Sequence, residues 1–161
     1  MAKNLISILT IIFLSCEINS KQIIKPEKLN FNEIKFNSVT KKLIYSNLQE
    51  DADTENMKKI IQYWYDNKIK TDGFDGSLEV NVKKIKTDKI KEEDYFKFTI
   101  NLVIEFIEEG VNLSRSKKYT ITTQEFGDIK GSFTINDQDR LIINIMYQSL
   151  VSISNKLEEL I

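Results

Sequence analysis

Apolar residues recur along this chain in two rhythms, one of period two and one of three to four. From Tyr95 to Phe106 the alternation is unbroken, with Phe96, Phe98, Ile100, Leu102, Ile104 and Phe106 on one face and Lys97, Thr99, Asn101 and Glu105 on the other. This predicts a long half-buried strand. "SLEVNVKKI" repeats the pattern with Leu78, Val80 and Val82 against Glu79, Asn81 and Lys83, and "KKYTITTQEF" repeats it with Tyr119 and Ile121 on one face. The "EEG" at 108–110 turns the chain between the Tyr95–Phe106 strand and "KKYTITTQEF". Lys86 to Asp94 is charged and long for a hairpin connection, which predicts a protruding loop. Leu29, Phe31, Ile34 and Phe36 alternate with one slip of phase, as in a strand with a bulge or bend. Residues 39–48, around "KKLIYSNL", suit a short strand or a helical turn equally.

The longer rhythm marks two helices. Met57, Ile60, Ile61 and Trp64 form one apolar face behind "DADTEN", where Asp53 or Thr54 is placed to cap the first turn. This helix ends before Gly73, and "TDGFDG" supplies a stop and a tight turn. Tyr63 and Tyr65 flank Trp64, and their hydroxyls are expected to face water. The second helix carries Ile142, Ile145, Met146, Ser149, Ile153, Leu157 and Leu160 as a stripe, with Asn136 or Asp137 as its cap. The fold class that follows is α+β: a mostly antiparallel sheet of four to five strands with two helices packed on one face, in a single domain over 29–161.

The first residues obey neither rhythm. "LISILTIIFLSCE" is apolar or hydroxylic up to Cys16, and only Lys3 precedes it with a charge. The run is shorter than the roughly 20 residues that a membrane-crossing helix needs. A basic start, a short apolar core and a small residue before the cut make a secretory signal peptide. Phe13, Leu14, Ser15 and Cys16 resemble the lipobox of bacterial lipoproteins, so residues 1–15 read as a signal peptide and Cys16 as the lipidated N-terminus, with acyl chains such as palmitate on its sulfur and amine. Residues 16–28, with the single proline at Pro26, then read as the lipidated cysteine and its tether. A thioether also disposes of a lone thiol that an oxidising compartment would make a liability. Several acyl chains anchor stably where one would hold only marginally. Glu17 after the cysteine favours the outer over the inner membrane.

Composition narrows the chemistry. Without residues 1–15 the chain has 146 residues, 22 basic and 24 acidic, so it is weakly acidic and has no basic excess for nucleic acid. Histidine is absent and cysteine occurs once, which removes zinc chemistry and Ser-His or Cys-His catalysis by inventory. Carboxylates are plentiful but lie in mixed runs such as "DKIKEEDY", the signature of a solvated surface. No cofactor, no metal and no enzymatic activity are therefore expected. Arg115, Lys117 and Lys118 form a basic knot at a strand start where a phosphate-bearing lipid headgroup could bind.

The segments "YWYDNKIKTDGFDGSLEVNVKKIK", "FKFTINLVIEF" and "INDQDRLIINIMYQSLVSISNKLEELI", with Trp64, the Gly73 and Gly76 pair and the opening Asp137, Asp139 and Arg140, resemble a group of small alphaproteobacterial lipoproteins. In architecture the chain is also similar to the LPS-assembly lipoprotein LptE and to auxiliary lipoproteins of lipid-trafficking ABC systems. These resemblances imply a non-enzymatic lipoprotein of the bacterial cell envelope, held to the membrane through Cys16 with its domain in the periplasm. Its expected partner is an envelope protein in assembly or maintenance. The alternative is an LptE-like or ABC-auxiliary role in handling LPS or phospholipid.

Overall fold

The structure is a computed structural model that describes residues 32–46, 48, 52–110 and 116–161. The signal segment, Cys16, the tether and the strand start expected at Leu29 and Phe31 lie outside these residues. The elements run β1 (Ile34–Phe36), β2 (Thr40–Tyr45), α1 (Ala52–Lys68), β3 (Ile69–Thr71), β4 (Ser77–Lys91), β5 (Tyr95–Glu109), β6 (Lys117–Lys130) and α2 (Ile135–Glu158). The fold is α+β, as the two rhythms predict.

Four strands form the main sheet in the order β2-β4-β5-β6, and β1 and β3 form a separate parallel pair. The β4–β5 and β5–β6 pairs are antiparallel, and β2 joins the edge parallel to β4, so residues 40–45 are strand and not helix. Phe98, Ile100, Leu102, Ile104 and Phe106 of β5 are all buried on one face. Both helices lie on that face. The Trp64 ring of α1 meets Phe106 edge-on at 6.4 Å, and its Nε1 donates to Ser154 Oγ of α2 at 3.0 Å, so the one polar atom of the indole is satisfied inside the core. On β6, Gly127 pairs with Phe98 and leaves room for Leu141 and Ile145 of α2.

The two helices run parallel. Their first turns line one cavity, through Asp53 and Thr54 from α1 and Gln138 and Ile142 from α2, while Trp64 and Ser154 meet near their other ends. Lys41 of β2 closes α1 at its C-terminal end, its Nζ donating to the Tyr65 and Ile69 carbonyls at 3.0 and 2.6 Å. Burial holds this ammonium below the usual lysine range.

Several expectations are corrected. The protruding loop at Lys86–Asp94 is strand as far as Lys91, with the turn confined to residues 92–94. The register slips by one residue between Val82 and Lys84, so beyond this bulge Ile85, Thr87 and Lys89 take the inward side. Lys89 hides the alternation because its amine lies 4.9–5.2 Å over the Phe96, Phe98 and Phe133 rings while its stem follows the apolar face. Helix α1 stops at Lys68 and the chain makes β3 before the glycines, because Ile69 is wholly buried opposite Ile34. The glycine turn is then fixed by backbone bonds from Asp72 N to Phe36 O and Gly73 N to Ser38 O. Gly76 holds φ at +81°, and a Cβ there would meet the Glu109 carbonyl. Tyr65 is buried beneath the Lys41 amine at 4.3 Å instead of pointing wholly to water. Thr134 caps α2 in place of Asn136 or Asp137, accepting from Asp137 N while the Asp137 carboxylate accepts from Thr134 N. Leu160 falls beyond the helix and is 52% exposed.

Phe98→Ala is expected to cost about 3–5 kcal/mol of unfolding free energy, because the ring is fully buried at the centre of the sheet. Thr134→Ala should cost about 0.5–2 kcal/mol through the lost cap. Denaturant titration checks both, and an unaffected Phe98→Ala midpoint would show the faces of β5 to be reversed.

Candidate interaction surface

With both helices on one side, no element among the described residues packs on the opposite face of the sheet. Its centre is Glu105, 7% exposed, whose carboxylate lies 2.8 Å from Lys118 Nζ on β6 and 3.5 Å from Lys83 Nζ at the bulge of β4. One carboxylate thus joins three strands. The Lys118 hydrogen bond, with both ammonium charges, holds the Glu105 carboxyl below its ordinary value against the opposing effect of burial. Farther along this face Lys97 Nζ sits 4.3 Å over the Phe126 ring, which is 58% exposed.

One edge of the sheet is built by β6, 14 residues that among the described residues are paired on one side only. Which of its backbone groups point outward follows from the turns. Glu92 N donates to Tyr95 O, and Gly131 N donates to Asp94 O. In antiparallel pairs, residues alternate between directing both backbone groups to the partner and directing both away. Hence odd residues of β5 bond β4, even residues of β5 bond odd residues of β6, and Lys118, Thr120, Thr122, Gln124, Phe126 and Asp128 turn their N–H and C=O outward.

Helix α2 forms a wall along this edge. Leu141 lies by Gly127, Ser152 Oγ donates to Glu125 Oε1 at 2.6 Å, and Lys156 Nζ reaches the outward carbonyl of Thr122 at 2.9 Å. Beside this carbonyl, Thr123 carries the one buried side-chain oxygen without a hydrogen-bond partner among the described residues. The margin is therefore an outward backbone ladder with a helix packed beside it on one face.

Of the basic knot, Arg115 lies outside the described residues. Lys117 and Lys118 are successive strand residues and so project from opposite faces, with Lys118 committed to Glu105 and Lys117 exposed on the helix side. Lys156 joins them at this lower half of the edge. Its sequence position on a polar helix face gave no sign of that role, whereas the alternation of β6 was readable and its edge position was not.

A cavity of about 260 Å³ lies at the other end, between the first turns of the helices and β4. Ile85, Phe98 and Ile142 form its apolar part, and Thr54, Lys86, Thr87, Lys89 and Gln138 give it a polar rim with Asp53 as its one carboxylate. Among the described residues no group of three or more Asp, Glu, His or Cys side chains is placed to hold a metal, and no helix is long and apolar enough to cross a membrane.

No protein-family model matches the chain, and no curated protein matches it in sequence. Among solved structures it is similar to a minor lipoprotein from Acinetobacter baumannii, with a TM-score of 0.40 and 11% identity over 73% of this chain and 86% of that one. Rare lipoprotein B from Shewanella oneidensis gives 0.39 and 9% over 74% and 91%. A homolog of neuraminyllactose-binding hemagglutinin from Helicobacter pylori gives 0.35 and 14% over 80% and 88%. At these scores and identities the likeness is a partial one of chain path.

The Glu105 carboxyl, lowered in the folded state, contributes stability that is present above its unfolded value near 4.5 and is lost as pH falls through the folded value. Melting temperature should therefore fall more steeply with acid in the wild type than in Glu105→Gln. Parallel curves below neutral pH would refute the triad's contribution.

Proposed function

We propose that this protein is a lipid-anchored, non-enzymatic lipoprotein of the bacterial envelope whose domain receives a segment of a protein partner along β6. The observation that carries this reading is the outward ladder of β6 beside the α2 wall, which no strand among the described residues pairs. Such an edge offers main-chain hydrogen bonds to an incoming strand, and a flanking helix supplies side-chain contacts on one of its faces. Anchoring through Cys16, after removal of residues 1–15, would hold the domain at the periplasmic side of the membrane, with the outer membrane favoured by Glu17. The LPS- or phospholipid-handling alternative calls for an apolar groove for acyl chains. The polar rim of the cavity at the helix starts favours the protein-partner reading over it.

Proline substitution separates backbone docking from side-chain docking. Gln124 turns its N–H outward, so Gln124→Pro removes an edge donor without touching the β5 ladder, whereas Thr123→Pro breaks that ladder. Gln124→Pro is expected to keep the fold and to lose the partner that a photoreactive residue at Thr120 captures in intact cells. Retention of the same adduct would overturn strand addition. Cys16→Ser should leave the domain folded and release it from the membrane fraction.

A further inference from the structure

The partner's chemistry can be specified from the lower half of the β6 margin, on the reading that a strand adds there. Thr122 offers an outward carbonyl, and the Lys156 ammonium already occupies it at 2.9 Å. An added strand must bring its own N–H to that carbonyl and must cover the amine. An ammonium removed from water without an anion is strongly unfavourable, so a neutral strand would be opposed at this point. A lysine at a sheet margin commonly excludes unwanted strands in this way. Here the exclusion is conditional on charge.

Three further observations set the sign and the direction. Lys117 is exposed on the same side as α2, and among the described residues it makes no salt bridge. Lys118, on the open face, shares the Glu105 carboxylate with Lys83, so that carboxylate already serves two ammonium groups. The upper half of the edge is different, with Glu125 held by Ser152, Asp128 facing outward and Phe126 largely exposed. An entering segment thus meets positive charge low on the edge and an aromatic ring with carboxylates above.

We propose that the β6 margin beside α2 selects an extended protein segment bearing a carboxylate opposite Thr123, on the α2 side of the sheet, which takes the Lys156 ammonium over from the Thr122 carbonyl. Its apolar neighbours lie toward Phe126. Lys156 then acts as a latch, excluding neutral and basic strands and admitting acidic ones.

The test uses the full chain in detergent micelles and two blocked heptapeptides of alternating threonine and valine, one with a central glutamate and one with a central lysine. Amide NMR is expected to show the glutamate peptide slowing exchange at the outward N–H groups of Thr120, Thr122 and Gln124, with those of Ile121 and Thr123 unchanged. It should bind at least about tenfold more tightly than the lysine peptide, the size of one hydrogen bond to a charged group. Lys156→Ala should abolish that difference, and Gln124→Pro should abolish binding. Equal binding of both peptides to the wild type, still lost in Gln124→Pro, overturns the charge selection and leaves strand addition standing. Binding indifferent to Gln124→Pro, or no peptide response on β6, overturns both. Phosphatidylglycerol vesicles that perturb Lys117, Lys118 and Lys156 where neither peptide does would overturn the proposal in favour of headgroup binding.

Discussion

The structure depends on the pairing of β4 with β5 and on the one-residue slip within it. Below the slip, Leu78, Val80 and Val82 meet the core; above it, Ile85 and Thr87 do so only because Lys83 is set aside as an extra residue. A register without the slip would turn Lys84 and Lys86 into the core and Ile85 out to water, since successive strand residues take opposite faces. The displaced Lys83 is not idle. It supplies one of the two ammonium groups on Glu105, so the irregularity that saves the core also provides an anchor on the open face.

Two helices are enough to cover one face of a four-stranded sheet, and placing both there leaves the other face to polar side chains and paired charges. The same arrangement sets α2 over the outermost strand. The sheet margin is neither buried nor freely exposed, because Lys156 reaches around to one of its carbonyls. Natural sheets guard their margins against indiscriminate association, and a guard made of one long flexible side chain can be displaced at small conformational cost. If the proposed lipid anchor holds the domain at the membrane, it would encounter its neighbours at high effective concentration, where weak edge contacts suffice.

Much of the fold was legible in the side-chain pattern. The alternation of β5 and the helical stripes through Trp64 and Ile145 are strong because each buries its apolar set against a single partner surface. Upper β4 was illegible because Lys89 occupies an inward position by lying over three phenylalanine rings, which reads as a charged loop in a polarity pattern. Strand β1 was legible in the alternation of Ile34 and Phe36, whereas β3 and its pairing were not, because Ile69–Thr71 is three residues long and the partnership joins segments on either side of α1. At the candidate site the pattern exposed the lysines and not their grouping. Lys117 and Lys118 are neighbours in sequence and diverge across the sheet, while Lys156 arrives from a distant helix; backbone direction, which decides the outward ladder, leaves no trace in residue type.

The parallel course of α1 and α2 has an electrical consequence. Antiparallel neighbours would cancel their peptide dipoles, whereas these two add, each equivalent to about half an elementary charge at either end. The carboxylates of Asp53, Glu55 and Asp137 in the first turns partly offset the positive end, and Lys41, Lys68 and Lys156 stand toward the negative one. The domain is thus an oriented object in any external field. Tethered beside a charged surface, it would settle in a preferred attitude, and the direction in which its open sheet margin faces would be set by the helices on its far side.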